Sequence, residues 1–211
     1  MHELEQLKEA LIVGDWKTAA AATKAALAGG VAPTAIVTGY LMPGMDEVGR
    51  RFECEDYFVP EMLLSARAMK ASMEILRPLL ASSGAQPVGR VVIGTVKGDL
   101  HDIGKNLVAA MLEGGGFEVI DLGADVAPEL FIEAAATRNA NLVALSALLT
   151  VTMGWMKTTI DAFQTAGLRE KVKIMVGGAP VTQQYADAIG ADGFSDSAGS
   201  AVALARKLVV A

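Results

Sequence analysis

A single cysteine, Cys54, in a chain of 211 residues excludes an internal disulfide and any multi-cysteine metal site. It lies in Phe52-Glu53-Cys54-Glu55-Asp56, among acids that blunt a thiol's nucleophilicity, so no catalytic thiol is expected. Histidine is nearly as scarce: His2, in a terminus expected to fray, and His101. That pair cannot build a multi-histidine zinc or iron site. Aromatic residues make up 5% of the chain, so its core must be assembled mainly from Ala, Val, Leu and Met. No basic cluster occurs and the formal charge is −6, which leaves no electrostatic footprint for nucleic acid or an anionic membrane. No apolar run reaches the roughly 18 residues of a membrane span. The opening Met1-His2-Glu3-Leu4-Glu5-Gln6 lacks the basic start and apolar stretch of a signal peptide. A cytoplasmic protein is expected.

What is present is a hydrophobic content of 52%, enough for a sizeable core and too much for disorder. The chain reads as two halves. Ser82 to Pro87 (Ser-Ser-Gly-Ala-Gln-Pro) is a linker by composition, which divides the chain at 1–85 and 89–211. The first half shows helical periodicity alone. Leu4, Leu7 and Leu11 share a face, and Ile36, Tyr40 and Leu41 mark a second helix after Pro33. Pro60 opens another, carrying Ala66, Met69, Met73, Leu76 and Leu80. A bundle of about four helices is expected.

The second half alternates apolar strands with helices. Strands are predicted over Val91–Val96, Phe117–Leu122, Leu142–Leu148 and Lys173–Val176 and near Gly193-Phe194. Helices are predicted after the first strand, with Ile103, Leu107, Ala110 and Met111 on one face, then from Pro128, over Thr152–Ala166 and over Ala198–Leu208. This grammar predicts an α/β domain, a five-stranded parallel sheet covered on both faces, in the flavodoxin-like (Rossmann-like) order 2-1-3-4-5. In that order ligands bind at the carboxyl ends of strands one and three, where the winding reverses.

The first of the two loops there reads Lys97-Gly98-Asp99-Leu100-His101-Asp102-Ile103-Gly104-Lys105-Asn106. An imidazole at such a turn can give one nitrogen to a metal while Asp99 takes the proton on the other, fixing the tautomer. Gly98 and Gly104 remove side chains where a bulky ligand would approach. The second loop, Ser146-Ala147-Leu148-Leu149-Thr150-Val151-Thr152, is rich in hydroxyls, and Gly177-Gly178 ends the fourth strand. Each feature alone has a plainer explanation: a solvated histidine, a cap at Asp102, a tight turn at the glycines.

Together, Asp99-x-His101-x-x-Gly104, Ser146-x-Leu148 and Gly177-Gly178 resemble the cobalamin-binding signature of methionine synthase and of the corrinoid proteins of methyltransferase systems. The longer run Gly98 to Asn106 is similar to the methyl-transfer branch of that family. Phe58-Val59-Pro60-Glu61 and Ser65 to Lys70 resemble the helical cap preceding its B12-binding domain. The likeness covers nearly the whole chain.

The resemblance implies cobalamin or a related corrinoid bound with its benzimidazole tail detached and buried (base-off), and with His101 as the lower ligand to cobalt (His-on). Asp99 and Thr152 would form a proton relay to that histidine. Gly98, Leu100, Asp102, Ile103 and Gly104 would lie against the cofactor. Ser146, Leu148, Thr150, Gly177 and Gly178 would line the tail pocket, with Ser197 at a further tail-contacting turn. Phe58 and Met62 either cover the upper cobalt face or are ordinary bundle core, and the linker would be the hinge between cap and sheet domain. The implied function is methyl carriage, cobalt alternating between Co(I) and methyl-Co(III), rather than catalysis by the isolated chain. The implied partners are a substrate-specific methyltransferase, a second methyltransferase using tetrahydrofolate or coenzyme M, and a reductive activase. Methylamines, methanol, aryl methyl ethers and betaines are all donors for such systems, and overall resemblance favours O-demethylation. Three other readings compete. A corrinoid-dependent regulator or light sensor would need a DNA-binding module for which the chain has neither length nor charge. A mutase subunit conflicts with the cap. A corrinoid-free flavodoxin-like domain makes the matching loops coincidence.

Overall fold

The computed structural model describes residues 2–84 and 86–210, so Met1, Ala85 in the linker and Ala211 lie outside the described residues, as do the side chains of His2 and Ala81. The chain divides into two compact units. One takes up the chain to Pro87 together with Gly114–Gly116, and the other takes up Val88–Glu113 and the chain from Phe117 onward.

The first unit is helical. Its elements are α1 (His2–Ile12), α2 (Trp16–Ala28), α3 (Pro33–Ile36), a π-helical turn at Val37–Leu41, α4 (Met42–Glu53) and α5 (Val59–Ser82). From α3 to α4 the backbone is one continuous helix. Its π turn precedes Pro43, which has no N–H to donate and whose ring would crowd the carbonyl four residues back. The Met42 N–H reaches Val37 O instead, and the wider turn brings Ile36 and Leu41, five apart, both into full burial. The unit therefore has the four helices expected, with α1 against α2 and α4, and α2 against α5. Leu7, Leu11, Met45, Met69 and Leu76 are fully buried between them. The end of α1 is closed by side chains: Ser65 Oγ (2.9 Å) and Tyr57 OH (3.1 Å) both donate to Ile12 O, a carbonyl with no helical partner. Gly14 (φ 76°) makes the turn into α2 with room for no side chain, since a Cβ there would meet Leu64 Cβ at 2.5 Å. Asp15 then caps α2, accepting from the Lys17 and Thr18 N–H groups.

The second unit is a five-stranded parallel sheet: β1 (Arg90–Thr95), β2 (Glu118–Asp121), β3 (Leu142–Ser146), β4 (Lys173–Gly177) and β5 (Gly193–Ser195), in the order β2-β1-β3-β4-β5. The helices are α6 (Ile103–Gly114), α7 (Pro128–Thr137), α8 (Gly154–Thr165), α9 (Gln183–Ile189) and α10 (Ala198–Val210). The expected α/β architecture and strand order are both present. Val91, Val92 and Ile93 are all buried, as a central strand covered on both faces requires. Alternate residues Val92 and Val96, Val143 and Leu145, Ile174 and Val176 line one face with Phe131 of α7 and Met156, Ile160 and Phe163 of α8. Phe131 packs so closely on Gly94 that a Cβ there would lie 2.7 Å from its ring.

Two of the boundaries that differ from the sequence expectation flank one loop. β3 stops at Ser146 rather than Leu148, because the chain leaves the ladder there and turns the Leu148 and Leu149 N–H groups toward Asp99. α8 begins at Gly154 rather than Thr152, whose hydroxyl is engaged in the same loop. Among the described residues no helix is long and apolar enough to cross a membrane.

Candidate functional site

β1 and β3 are neighbours whose chains wind in opposite directions, so the loops after them flank the crevice where this sheet type takes ligands. Asp99 ties those loops together. Its side chain is fully buried, and its Oδ2 accepts from Thr152 Oγ1 (2.7 Å), Leu148 N (2.8 Å) and Leu149 N (3.2 Å), all in the second loop. Its Oδ1 accepts from the His101 N–H (3.1 Å) and lies 2.8 Å from His101 Nδ1. Burial pushes the Asp99 carboxyl up. The Thr152 hydroxyl, the Leu148 N–H and the two His101 donors outweigh it and hold the carboxyl well below the usual carboxylate range.

An ionised Asp99 can only accept, so the proton between it and the ring sits on Nδ1, and Nε2 keeps its lone pair. The His101 side chain is 50% exposed. Among the described residues no three of His, Cys, Asp and Glu converge as an ion site. A single imidazole suits a metal that brings its other ligands with it, as a corrinoid does.

Both loops that Asp99 joins expose apolar side chains. Leu100 (76% exposed) and Ile103 (75%) follow β1, and Val151 (83%), Leu148 and Leu149 follow β3, exposure of the kind that marks a binding surface. The sequence sets Ile103 on one helical face with Leu107, Ala110 and Met111, and the resemblance sets it against the cofactor. It sits in the first turn, ahead of the part of the helix that packs through Leu107 and Met111. Gly104 is open, with nothing within 4 Å of a Cβ built there, whereas Gly98 turns the chain at φ 79°. Asp102 precedes α6 and its carbonyl accepts the Asn106 N–H at 2.7 Å.

The remaining expected residues take varied positions. Ser146 ends β3, its carbonyl accepting the Val96 N–H, and Thr150 is exposed at the loop tip. Gly178 is required by the protein's own backbone, since a Cβ there would lie 1.9 Å from Ala147 O, and at Gly177 a Cβ would sit tightly, 3.1 Å from Ser195 O. Ser197 caps α10, accepting the Ser200 N–H at 3.1 Å, within a hydroxyl cluster that includes Ser195 and Ser200. Phe58 is exposed at the start of α5. Met62 is fully buried.

Sequence reasoning missed several contributors. Thr95 Oγ1 donates to His101 O (3.0 Å), and Asp125 Oδ1 accepts the Gly98 N–H (2.7 Å). Buried Lys105 spans to Asp121 Oδ1 and Asn106 Oδ1, 2.6 Å each. Val151 and Leu149 were hidden in a loop noticed for its hydroxyls. Only the Ser197-x-x-Ser200 spacing carried a readable signal, that of a helix cap.

Comparison with known proteins agrees with this geometry. Two family models, each described as a B12 binding domain, match residues 89–204 and 3–77. The chain is 44% identical to a dimethylamine corrinoid protein of Methanosarcina barkeri over 208 residues, 98% of this chain and 97% of the relative. It superposes on the crystal structure of a cobalamin-binding protein from Desulfitobacterium hafniense DCB-2 with TM-score 0.80 and 31% identity, covering 97% and 98% of the two chains. The methanol:cobalamin methyltransferase complex of Methanosarcina barkeri matches with TM-score 0.88 and 28% identity, covering 99% of this chain and 80% of that one. A helical unit and a parallel-sheet unit, both matched as B12 binding domains, with one buttressed histidine amid exposed apolar side chains, place the chain in the family of corrinoid proteins of methyltransferase systems.

Proposed function

We propose that the chain is a methyl carrier in which His101 Nε2 is the lower axial ligand to the cobalt of a corrinoid. It receives a methyl group from a substrate-specific methyltransferase and yields it to a second methyltransferase acting with tetrahydrofolate or coenzyme M. A reductive activase keeps the system competent. The observation that carries this reading is the Asp99–His101 pair, 2.8 Å apart, with the carboxylate buried and the imidazole exposed. The relatives move the proposed donor from aryl methyl ethers to methylamines, because the dimethylamine corrinoid protein is 44% identical and the chain in the methanol complex 28%. The proposed division is 1–85 as helical cap and 89–211 as cobalamin-binding domain.

When bound, the corrinoid supplies a metal centre that accepts and releases a methyl group. The chain's own residues set the conditions for it. Asp99 holds the proton on Nδ1 and thereby keeps the Nε2 lone pair available. The Leu148 and Leu149 N–H groups and Thr152 keep Asp99 ionised. Thr152 Oγ1 has one hydrogen and two acceptors within reach, Asp99 Oδ2 at 2.7 Å and Leu149 O at 2.8 Å. A proton arriving on Oδ2 is accommodated when that hydrogen turns to Leu149 O and the hydroxyl oxygen becomes the acceptor. Leu100, Ile103 and Val151 give a corrin ring an apolar bed that excludes water around the imidazole.

The test uses hydroxocobalamin with the full chain. Corrinoid should stay with the protein through gel filtration, and His101→Ala should retain it while losing the axial-imidazole signature in the cobalt(II) electron paramagnetic resonance spectrum. Methyl transfer from dimethylamine should appear only when a dimethylamine methyltransferase is added. Loss of corrinoid on the column, or demethylation by the loaded chain alone, would overturn the carrier reading.

A further inference from the structure

The loop that carries His101 is fastened from a side the sequence does not advertise. Beyond β2 the chain continues alongside the end of β1. The Leu122 N–H donates to Ile93 O (2.8 Å), the Thr95 N–H to Gly123 O (2.9 Å), the Val126 N–H to Thr95 O (3.0 Å), and Val126 bridges Val96. Between Gly123 and Val126 the chain must bulge, and Asp125 occupies the bulge at φ 56°, a left-handed conformation that non-glycine residues adopt at a cost. A carboxylate held there against its preference needs a local return.

The return is a reciprocal clamp. Asp125 Oδ1 accepts the Gly98 N–H at 2.7 Å, and the Asp125 N–H donates to Asp99 O at 2.9 Å. These two bonds bracket the Gly98–Asp99 segment, at the point where Gly98 itself turns at φ 79°. The imidazole is fixed through the next side chain, that of Asp99, whose five partners lie in the β3 loop or on His101. The β3 loop holds the carboxylate head, and the backbone that carries it is held from the β2 side by Asp125.

We propose that Asp125 is a positioning residue for the axial ligand. By fixing the Gly98–Asp99 backbone it aligns the Asp99 carboxylate with His101 Nδ1 and so holds the imidazole ready for cobalt. The inference rests on the reading of His101 as that ligand. It attributes the effect to an acceptor oxygen, not to charge, and places the acceptor in a backbone conformation where asparagine and glycine are also at ease.

Those two residues give the test. In hydroxocobalamin-loaded full chain, reduced to cobalt(II), the axial-nitrogen splitting in the paramagnetic resonance spectrum reports the ratio of ligated to unligated cobalt. Asp125→Asn keeps both the acceptor and the tolerance of φ 56°, and should match the wild type. Asp125→Gly relaxes the backbone and removes the acceptor. It should lower the ratio about five- to tenfold, the worth of one net hydrogen bond, without loss of bound corrinoid or of thermal midpoint. In the cofactor-free protein the Gly98 amide should exchange faster with solvent in the glycine variant than in the asparagine variant. If the wild type shows no axial nitrogen, the His101 assignment fails and this inference with it. If the wild type is ligated and Asp125→Gly is ligated equally, with Gly98 still protected, the positioning role alone is overturned. An asparagine variant that falls with the glycine one overturns the hydrogen-bond basis.

Discussion

Replacing Asp99 by asparagine changes one atom, and the geometry shows why it should cost far more than a charge. The carboxylate accepts at both oxygens: three donors converge on Oδ2, from Thr152, Leu148 and Leu149, and the His101 N–H and Nδ1 on Oδ1. An amide has an NH2 at one end and must place it against one of these sets. Turned toward the β3 loop, it faces two backbone N–H groups that cannot accept. Turned toward His101, it loses the His101 N–H bond and donates to Nδ1. The ring proton then moves to Nε2, which has no lone pair left for a metal. The second arrangement sacrifices fewer bonds and should prevail. Losing such a second-layer partner costs about 10- to 100-fold in metal affinity, and the change of tautomer puts this case at the upper end. The assay is the axial-nitrogen splitting of the cobalt(II) form, with Thr152→Val as comparison. That variant removes one donor and leaves the tautomer alone, so its effect should be no more than about tenfold. An Asp99→Asn protein with undiminished imidazole ligation, or one less affected than Thr152→Val, would refute the tautomer argument.

Two further outcomes concern stability. Glu47 is partly exposed and its carboxyl is held at about 2 by Arg50 first and Arg51 second, each bonding it at 2.8 Å. A depressed carboxyl stabilises the fold above its ordinary value of 4.5 and loses that contribution as pH falls toward 2. The denaturation midpoint of Glu47→Gln should therefore trail the wild type near pH 6 and converge with it by about pH 2, and a gap that persists there would contradict the assignment. Lys105 and Asp121 are unequally buried, with side chains 1% and 37% exposed. Asp121→Asn strands a buried ammonium and should cost about 3 kcal/mol, whereas Lys105→Met leaves Asp121 free to turn to water and should cost about 1 kcal/mol. Urea midpoints in the reverse order would sink this account.

Much of the fold was legible because a parallel sheet buries whole strands and leaves continuous apolar runs such as Val91-Val92-Ile93. The strand order followed from the alternation of elements, and the site's location followed from the order. Other elements gave little signal. The Ala-rich Trp16–Ala28 has almost no apolar contrast between its faces, and Gln183–Ile189 spans barely two turns. The Asp99–His101 spacing was readable because both residues lie in one loop. Asp125, Thr95 and the Lys105–Asp121 pair were not, since each acts on the site through a neighbour distant in sequence or through a backbone group. Ile103 illustrates the converse. Helical periodicity sets it on one face with Leu107 and Met111, and its place in the first turn of α6 leaves it in solvent.

The Ala147 N–H donates to Gly177 O (3.3 Å) and gives the β3 loop a second anchor, opposite the one it has in Asp99. Held at both ends of its first stretch, the segment through Leu149 behaves as rigid scaffold, while Thr150 and Val151 project from it with their side chains in solvent. Attempts to retune which corrinoid this chain prefers should therefore randomise Thr150 and Val151, where sequence can drift without disturbing the histidine. Ala147, Leu148 and Leu149 should be left as they are.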